Sequence, residues 1–205
     1  MKSRNWFLKG ITRGVETEKF PISLPSELPK WSGELVGAGT AKCPTDAITG
    51  NVWDANKCIF CRRCAPNYKP TGNLVKVEPK ARYSQFKKSF FIYPFDFGAC
   101  GACNVELRAL SYPQYDLNRL GIYFTNTPRH ADAIVVMGVW TPKMKDVFTL
   151  AYEAMPEPKT VIALGACAIT GGIIGKNPDI TSVINIPGCP PNPYAILDAL
   201  IKVKG

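Results

Sequence analysis

Apolar positions divide the 205-residue chain near its middle. Downstream of Lys88, short apolar runs predict strands at Ser89–Tyr93, Ile122–Phe124, Ala133–Gly138 and Val161–Gly165, with a further candidate at Val183–Ile186. Helices are predicted to start near Asn104, Lys143 and Asn192. Asp146, Val147, Leu150, Ala151 and Ala154 keep the 3.6-residue period of the middle one. Alternating strands and helices predict an α/β domain with a parallel sheet covered on both faces. The first half has no such rhythm. Residues 3–14 mix Trp6, Phe7, Leu8 and Ile11 with Arg4, Lys9 and Arg13, an amphipathic pattern suited to a membrane or partner surface. A helix packed on its own domain fits that pattern equally. Residues 21–39 read as an extended arm rich in Pro, Ser and Gly. Residues 72–89, with Pro79 and five Lys/Arg, read as a connector. The boundary is placed near residue 84, between domains 1–84 and 85–205.

Cysteines carry the candidate chemistry. Cys100 and Cys103 follow the first predicted strand in a Gly/Ala-rich loop, Cys167 follows the fourth and Cys189 the fifth. In a parallel α/β sheet the loops after the strands gather at one edge. Four thiolates there match the ligand count of a [4Fe–4S] cluster. Gly171-Gly172, directly after Cys167, reads as a tight turn beside that site, and no GxGxxG or Walker pattern marks a nucleotide site.

The first half holds Cys43-Pro44, then Cys58, Cys61 and Cys64 in a CxxCxxC run. A two-cluster bacterial-type ferredoxin uses CxxCxxCxxxCP twice. Against that template the missing cysteines fall at Gly33, Val36, Gly39 and Tyr68. Those four are one complete ligand set, and Cys43, Cys58, Cys61 and Cys64 are the other. One cluster lost and one kept is the reading that follows. The alternative for the retained set is a Cys₄ zinc knuckle, although zinc sites usually pair two CxxC elements. Lys57, Arg62 and Arg63 put positive charge beside this site, which favours the reduced state and can steer an acidic donor.

Composition narrows the rest. Apolar residues make up 46% of the chain, enough for a sizeable core, and no run approaches the 18 residues of a membrane span. Trp6-Phe7-Leu8 is too short for a signal peptide. Without one, eight cysteines in these spacings read as metal ligands rather than disulfides. Residues 1–89 hold 16 Lys/Arg against 7 Asp/Glu and so carry the whole formal charge of +9. A basic first half suits an acidic protein or an anionic membrane surface. The cysteine pattern argues against a nucleic-acid partner.

Two resemblances follow. Roughly residues 1–80 resemble the polyferredoxin-like subunit of energy-converting hydrogenases, formate hydrogenlyases and complex I, through Trp6-Phe7-Leu8-Lys9-Gly10, Phe20-Pro21, Cys43-Pro44-Thr45 and Cys58-Ile59-Phe60-Cys61. Residues 90–205 closely resemble the small subunit of membrane-bound, energy-converting [NiFe] hydrogenases, kin to the complex I subunit that carries the terminal cluster. The matching stretches are Gly98 to Glu106, Thr127 to Asp132, Gly165 to Gly172 and Pro187 to Pro191.

These resemblances imply a flavodoxin-like domain preceded by a small ferredoxin-like α+β module, with two [4Fe–4S] clusters. They imply an electron-relay subunit on the cytoplasmic side of the membrane, peripheral. Electrons would come from a ferredoxin or another iron–sulfur subunit. They would go to a [NiFe] hydrogenase-type large subunit, beside membrane-embedded ion-translocating subunits. Complex I has adjacent cysteines where this chain has Cys100 and Cys103 two residues apart. The separated form is similar to the hydrogenase branch and to polysulfide-reducing complexes, so an equivalent subunit of a quinone- or polysulfide-reducing complex is the alternative. Similar small subunits place a glutamate at Glu106, close to a proton exit. The competing role is a first-turn carboxylate favoured by the helix dipole. His130, the single histidine, suits a hydrogen bond near a cluster or a structural place equally, and Arg129 and Asp132 read as structural.

Overall fold

The computed structural model describes residues 12, 33–176 and 180–205. Apart from Thr12, the helix expected at 3–14 lies outside the described residues, as do Phe20-Pro21 and most of the expected arm. Described residues before the connector form strands and turns. Strand β1 (Leu35–Gly37) pairs antiparallel with β4 (Tyr68–Pro70), and β2 (Ile48–Thr49) with β3 (Val52–Trp53). Leu35, Ala47, Cys58 and Phe60 form their small core, against which Trp53 and Val75 pack.

The second half is a five-stranded sheet of β5 (Phe90–Asp96), β6 (Ile122–Phe124), β7 (Ala133–Met137), β8 (Thr160–Leu164) and β9 (Ile184–Ile186). All pairings are parallel, in the order β6-β5-β7-β8-β9. That is the doubly wound order of a flavodoxin-like fold, with its switch point at β5/β7. The five expected strands are all present. β5 runs on through Pro94 to Asp96 because its β6 partner ends at the Ile92–Phe124 pair, leaving an open side that tolerates proline.

Side chains on successive positions enter opposite layers, and both layers are buried. Ala133, Val135 and Met137 of β7 face one core with Ile162 and Leu164 of β8, and Ile134 and Val136 face the other with Val161 and Ala163. Helix α1 (Ala102–Ala109) and α4 (Pro193–Lys204) cover the first layer. Helix α2 (Pro142–Glu153) and the short α3 (Ala166–Thr170) cover the second. Pro142 and Pro193 open their helices at the position where proline's missing N–H costs nothing. Asn192 caps α4 by accepting the Tyr194 N–H at 2.9 Å.

The connector is held against this domain. Its Lys80 N–H donates to the Val183 carbonyl at 2.8 Å and its Tyr83 N–H to Val203 at 3.0 Å. Phe86 stacks between Tyr83 and Phe90 at 5.1 and 5.2 Å. Lys202 reaches back to the Val77 carbonyl at 2.9 Å and to Glu78 at 3.0 Å. No helix among the described residues is long and apolar enough to cross a membrane.

Candidate metal centres

Four cysteines meet at the carboxyl edge of the sheet. β5 ends in Asp96, whose Oδ1 accepts the N–H groups of Gly98 and Ala99, each at 2.7 Å, and whose Oδ2 accepts the Asn104 amide at 2.6 Å. This clamp turns the chain and sets Cys100 before α1 and Cys103 in its first turn. Gly165 turns β8 into α3, which carries Cys167. Its N–H donates to the Ile186 carbonyl, and the Ala166 N–H to Gly188, both at 2.9 Å, which ties the β8 loop to the Cys189 loop. Cys100, Cys103, Cys167 and Cys189 line one cavity of about 70 Å³, room for several waters.

Two glycines form its cradle. A Cβ on Gly165, whose φ is +87°, would stand 2.6 Å from Cys103 Sγ, and one on Gly172 would stand 3.0 Å from Cys167 Sγ. Burial pushes the Cys103 thiol up to about 12, reinforced by negative charge at Cys189, Cys167, Cys100 and Asp96. Burial also raises Cys167 and Cys189, with Cys100 adding to both. Four such thiolates repel one another and need a cationic group to be ionised together.

The first half builds a second quartet. Cys43, Cys58, Cys61 and Cys64 line one smaller cavity of about 20 Å³. Phe60 and Arg62 take left-handed φ of +54° and +63°, which coils the Cys58–Cys64 run tightly around it. The sulfurs already receive donors: Ala47 N–H to Cys43 at 3.3 Å and Phe60 N–H to Cys58 at 3.4 Å. Burial works to raise Cys43, but N–H groups of Thr45, Ala47 and Ile48 and the Thr45 hydroxyl hold its thiol below the ordinary value. Burial raises Cys58 and Cys64, and neighbouring thiolates add to both. Arg62 opposes the rise at Cys64.

Among the described residues no group of three or more His, Cys, Asp or Glu is arranged to hold a single metal ion. A zinc ion would draw its thiolates to about 2.3 Å. Four thiols around one cavity are a donor set suited to a cationic group. The C-terminal quartet has the glycine cradle for it. The N-terminal quartet has two buried donors without partners, Trp53 Nε1 and Arg62 Nη1, in its wall.

Positions where the ferredoxin template lacks cysteines also converge. β1 pairs Val36 with Lys69 and Gly37 with Tyr68. Tyr68 is 2% exposed, and its hydroxyl donates to the Gly39 carbonyl at 3.3 Å. Of the missing ligand set, Tyr68 and Gly39 are thus joined directly, and Val36 lies on the strand paired with that of Tyr68.

Other expected residues divide. Glu106 is half-buried in the second turn of α1, beyond the first turn where a helix dipole acts, so the dipole account is corrected. Burial raises its carboxyl pKa. His130 and Arg129 are exposed in a short turn before β7, at the edge opposite the cysteines. Asp132 is structural: its N–H donates to the Phe91 carbonyl at 2.8 Å, and its Oδ2 accepts the Phe91 N–H at 2.7 Å. Gly171-Gly172 forms the tight turn after α3, closed by the Gly175 N–H to Gly171 at 2.8 Å. Asp96 and Trp53 were missed by sequence reasoning. Asp96-Phe97-Gly98 after a strand is an Asx-turn signal, whereas Trp53 carries none.

A family model described as NADH ubiquinone oxidoreductase, 20 Kd subunit, matches residues 100–203. An NADH-quinone oxidoreductase subunit of Citrifermentans bemidjiense is 42% identical over 121 residues, 55% of this chain and 70% of its own length. An uncharacterized protein of Methanocaldococcus jannaschii is 38% identical over 128 residues, 57% of this chain and 84% of its own. Among solved structures, a chain of the membrane-bound sulfane sulfur reductase, an archaeal respiratory membrane complex, is 33% identical. It covers 58% of this chain and 71% of that one, with a TM-score of 0.47.

Proposed function

The chain belongs to the NADH ubiquinone oxidoreductase 20 Kd subunit family, a family of oxidoreductase subunits, and from that premise we propose that it is the electron-relay subunit of a membrane respiratory complex. In this reading residues 1–84 are a ferredoxin-like module and 85–205 the family's flavodoxin-like domain. Cys43, Cys58, Cys61 and Cys64 hold one [4Fe–4S] cluster, and Cys100, Cys103, Cys167 and Cys189 hold another. Bound there, each supplies one-electron carriage. The single observation carrying the reading is that two complete cysteine quartets line two cavities.

This chain's own residues then do three things. Asp96, Gly165 and Gly172 shape the C-terminal site. The basic first half attracts an acidic one-electron donor protein, a ferredoxin or another iron–sulfur subunit. The exposed thiols of Cys100 and Cys189 open the second site toward a catalytic large subunit. We assign that subunit to the [NiFe] hydrogenase type, which the Cys100–Cys103 spacing admits together with a polysulfide-reducing type. It would stand on the cytoplasmic side with membrane-embedded ion-translocating partners. Glu106, with its raised pKa, is the candidate proton carrier beside the second site. A quinone-reducing complex is the second reading, favoured by the 42% identity to a quinone oxidoreductase subunit.

The test is anaerobic iron, sulfide, nickel and zinc analysis with low-temperature EPR on the complex captured through this chain. Two reduced cubane signals assigned to this chain support the relay, and nickel in the partner makes it a hydrogenase. Iron without nickel selects the quinone- or sulfur-reducing reading. Zinc without iron overturns the proposal.

A further inference from the structure

Trp53 ends the β2–β3 hairpin and packs against the small core beside Cys58. Its ring meets Phe60 edge-on at 6.3 Å, which fixes the plane of the indole. Its Nε1 is buried with no hydrogen-bond partner of ordinary geometry, and the ring forms part of the wall of the cavity that the four N-terminal cysteines line. A buried donor left unsatisfied costs about 1–3 kcal/mol unless something accepts it. Trp53 Nε1 and Arg62 Nη1 are both buried in this one cavity wall. The sulfur nearest to hand is that of Cys58, which belongs to the small core Trp53 packs against and lines the same cavity. An acceptor arriving in the cavity with Cys58 as a thiolate satisfies the donor.

We infer that Trp53 is a positioning residue for the N-terminal cluster, its indole N–H held ready for the Cys58 sulfur so as to raise that cluster's reduction potential. The inference rests on the proposed [4Fe–4S] ligation by Cys43, Cys58, Cys61 and Cys64. Hydrogen bonds to cluster sulfurs stabilise the more negative, reduced state.

The experiment is an EPR-monitored redox titration of the complex carrying Trp53→Phe, beside one with β-(3-benzothienyl)alanine at position 53. The second keeps the bicyclic shape and replaces the N–H by sulfur. Expected is unchanged iron and a lower midpoint for one cubane signal in both, with the reduced-to-oxidised ratio at fixed potential falling about tenfold, which is about 59 mV for one electron. The other cubane should not move. Equal midpoints in the isosteric variant and the parent, with iron retained, overturn the inference. So does a shift confined to the signal that Cys189→Ser removes. Only one cubane in the parent would instead overturn the ligation on which the inference rests. If Trp53→Phe loses iron and the isostere does not shift, Trp53 acts through packing alone and the inference fails.

Discussion

Gly165→Ala probes the C-terminal quartet at its narrowest point. The added Cβ would stand 2.6 Å from Cys103 Sγ, where a comfortable non-bonded separation is about 3.5–4.0 Å. One of the two must move by about 1 Å. Neither has an easy path: the Gly165 backbone is bonded to Ile186, and Cys103 is packed against the sheet core. Gly165 also holds φ +87° and ψ 157°, a region costing a residue with a Cβ about 1–3 kcal/mol. For a chain of this size that predicts a melting point lower by about 2–12 °C. Gly72→Ala is the control, since its φ is +86° and a Cβ there meets nothing within 4 Å. Thermal unfolding should show both variants destabilised, since each puts a Cβ on a residue with positive φ. Iron analysis should separate them, with Gly165→Ala losing one cubane and keeping the other, and Gly72→Ala keeping both. A Gly165→Ala protein with full iron and unaltered EPR would refute the idea that this glycine makes room for a ligating sulfur.

Three further outcomes are expected. Asp96→Ala removes acceptors for three donors that shape the Cys100 loop; because the carboxylate is exposed, the loss should be about 1 kcal/mol, read as a lower urea midpoint with faster loss of iron to a chelator. Tyr68→Ala should empty a buried site at a cost of about 3–5 kcal/mol, taking the N-terminal cubane signal with it and leaving the C-terminal one; loss of both together would refute independent modules. In metal-free protein the raised thiols of Cys58, Cys103, Cys167 and Cys189 favour protonated sulfur in the fold. Their contribution is therefore complete below the ordinary value of 9.0 and is lost as pH climbs through the folded values, which reach about 12 at Cys103. Urea midpoints at pH 7 and pH 10 should fall with pH, and a rise would contradict the assignment.

Local pattern alone determined the second half of this protein. Runs such as Ala133–Met137 are apolar at every position and short, so only a strand buried on both faces satisfies them, and the intervening 3.6-residue period leaves the helices no alternative. Once the strands are parallel, the loops carrying Cys100, Cys167 and Cys189 must emerge at one edge, which is why four cysteines spread over about ninety positions were legible as one group. Spacing likewise made the Cys43–Cys64 set readable, because a CxxCxxC run is itself a local signal. Tertiary structure decided what depends on partners distant in the chain. Only packing bonds Tyr68 to Gly39 and fastens the connector to α4 through Lys202. Only packing turns Trp53 from an ordinary strand aromatic into a buried donor in the wall of a cysteine-lined cavity. Side-chain direction and burial arise from contacts between segments that no periodicity encodes, so those roles became visible when the chain closed on itself.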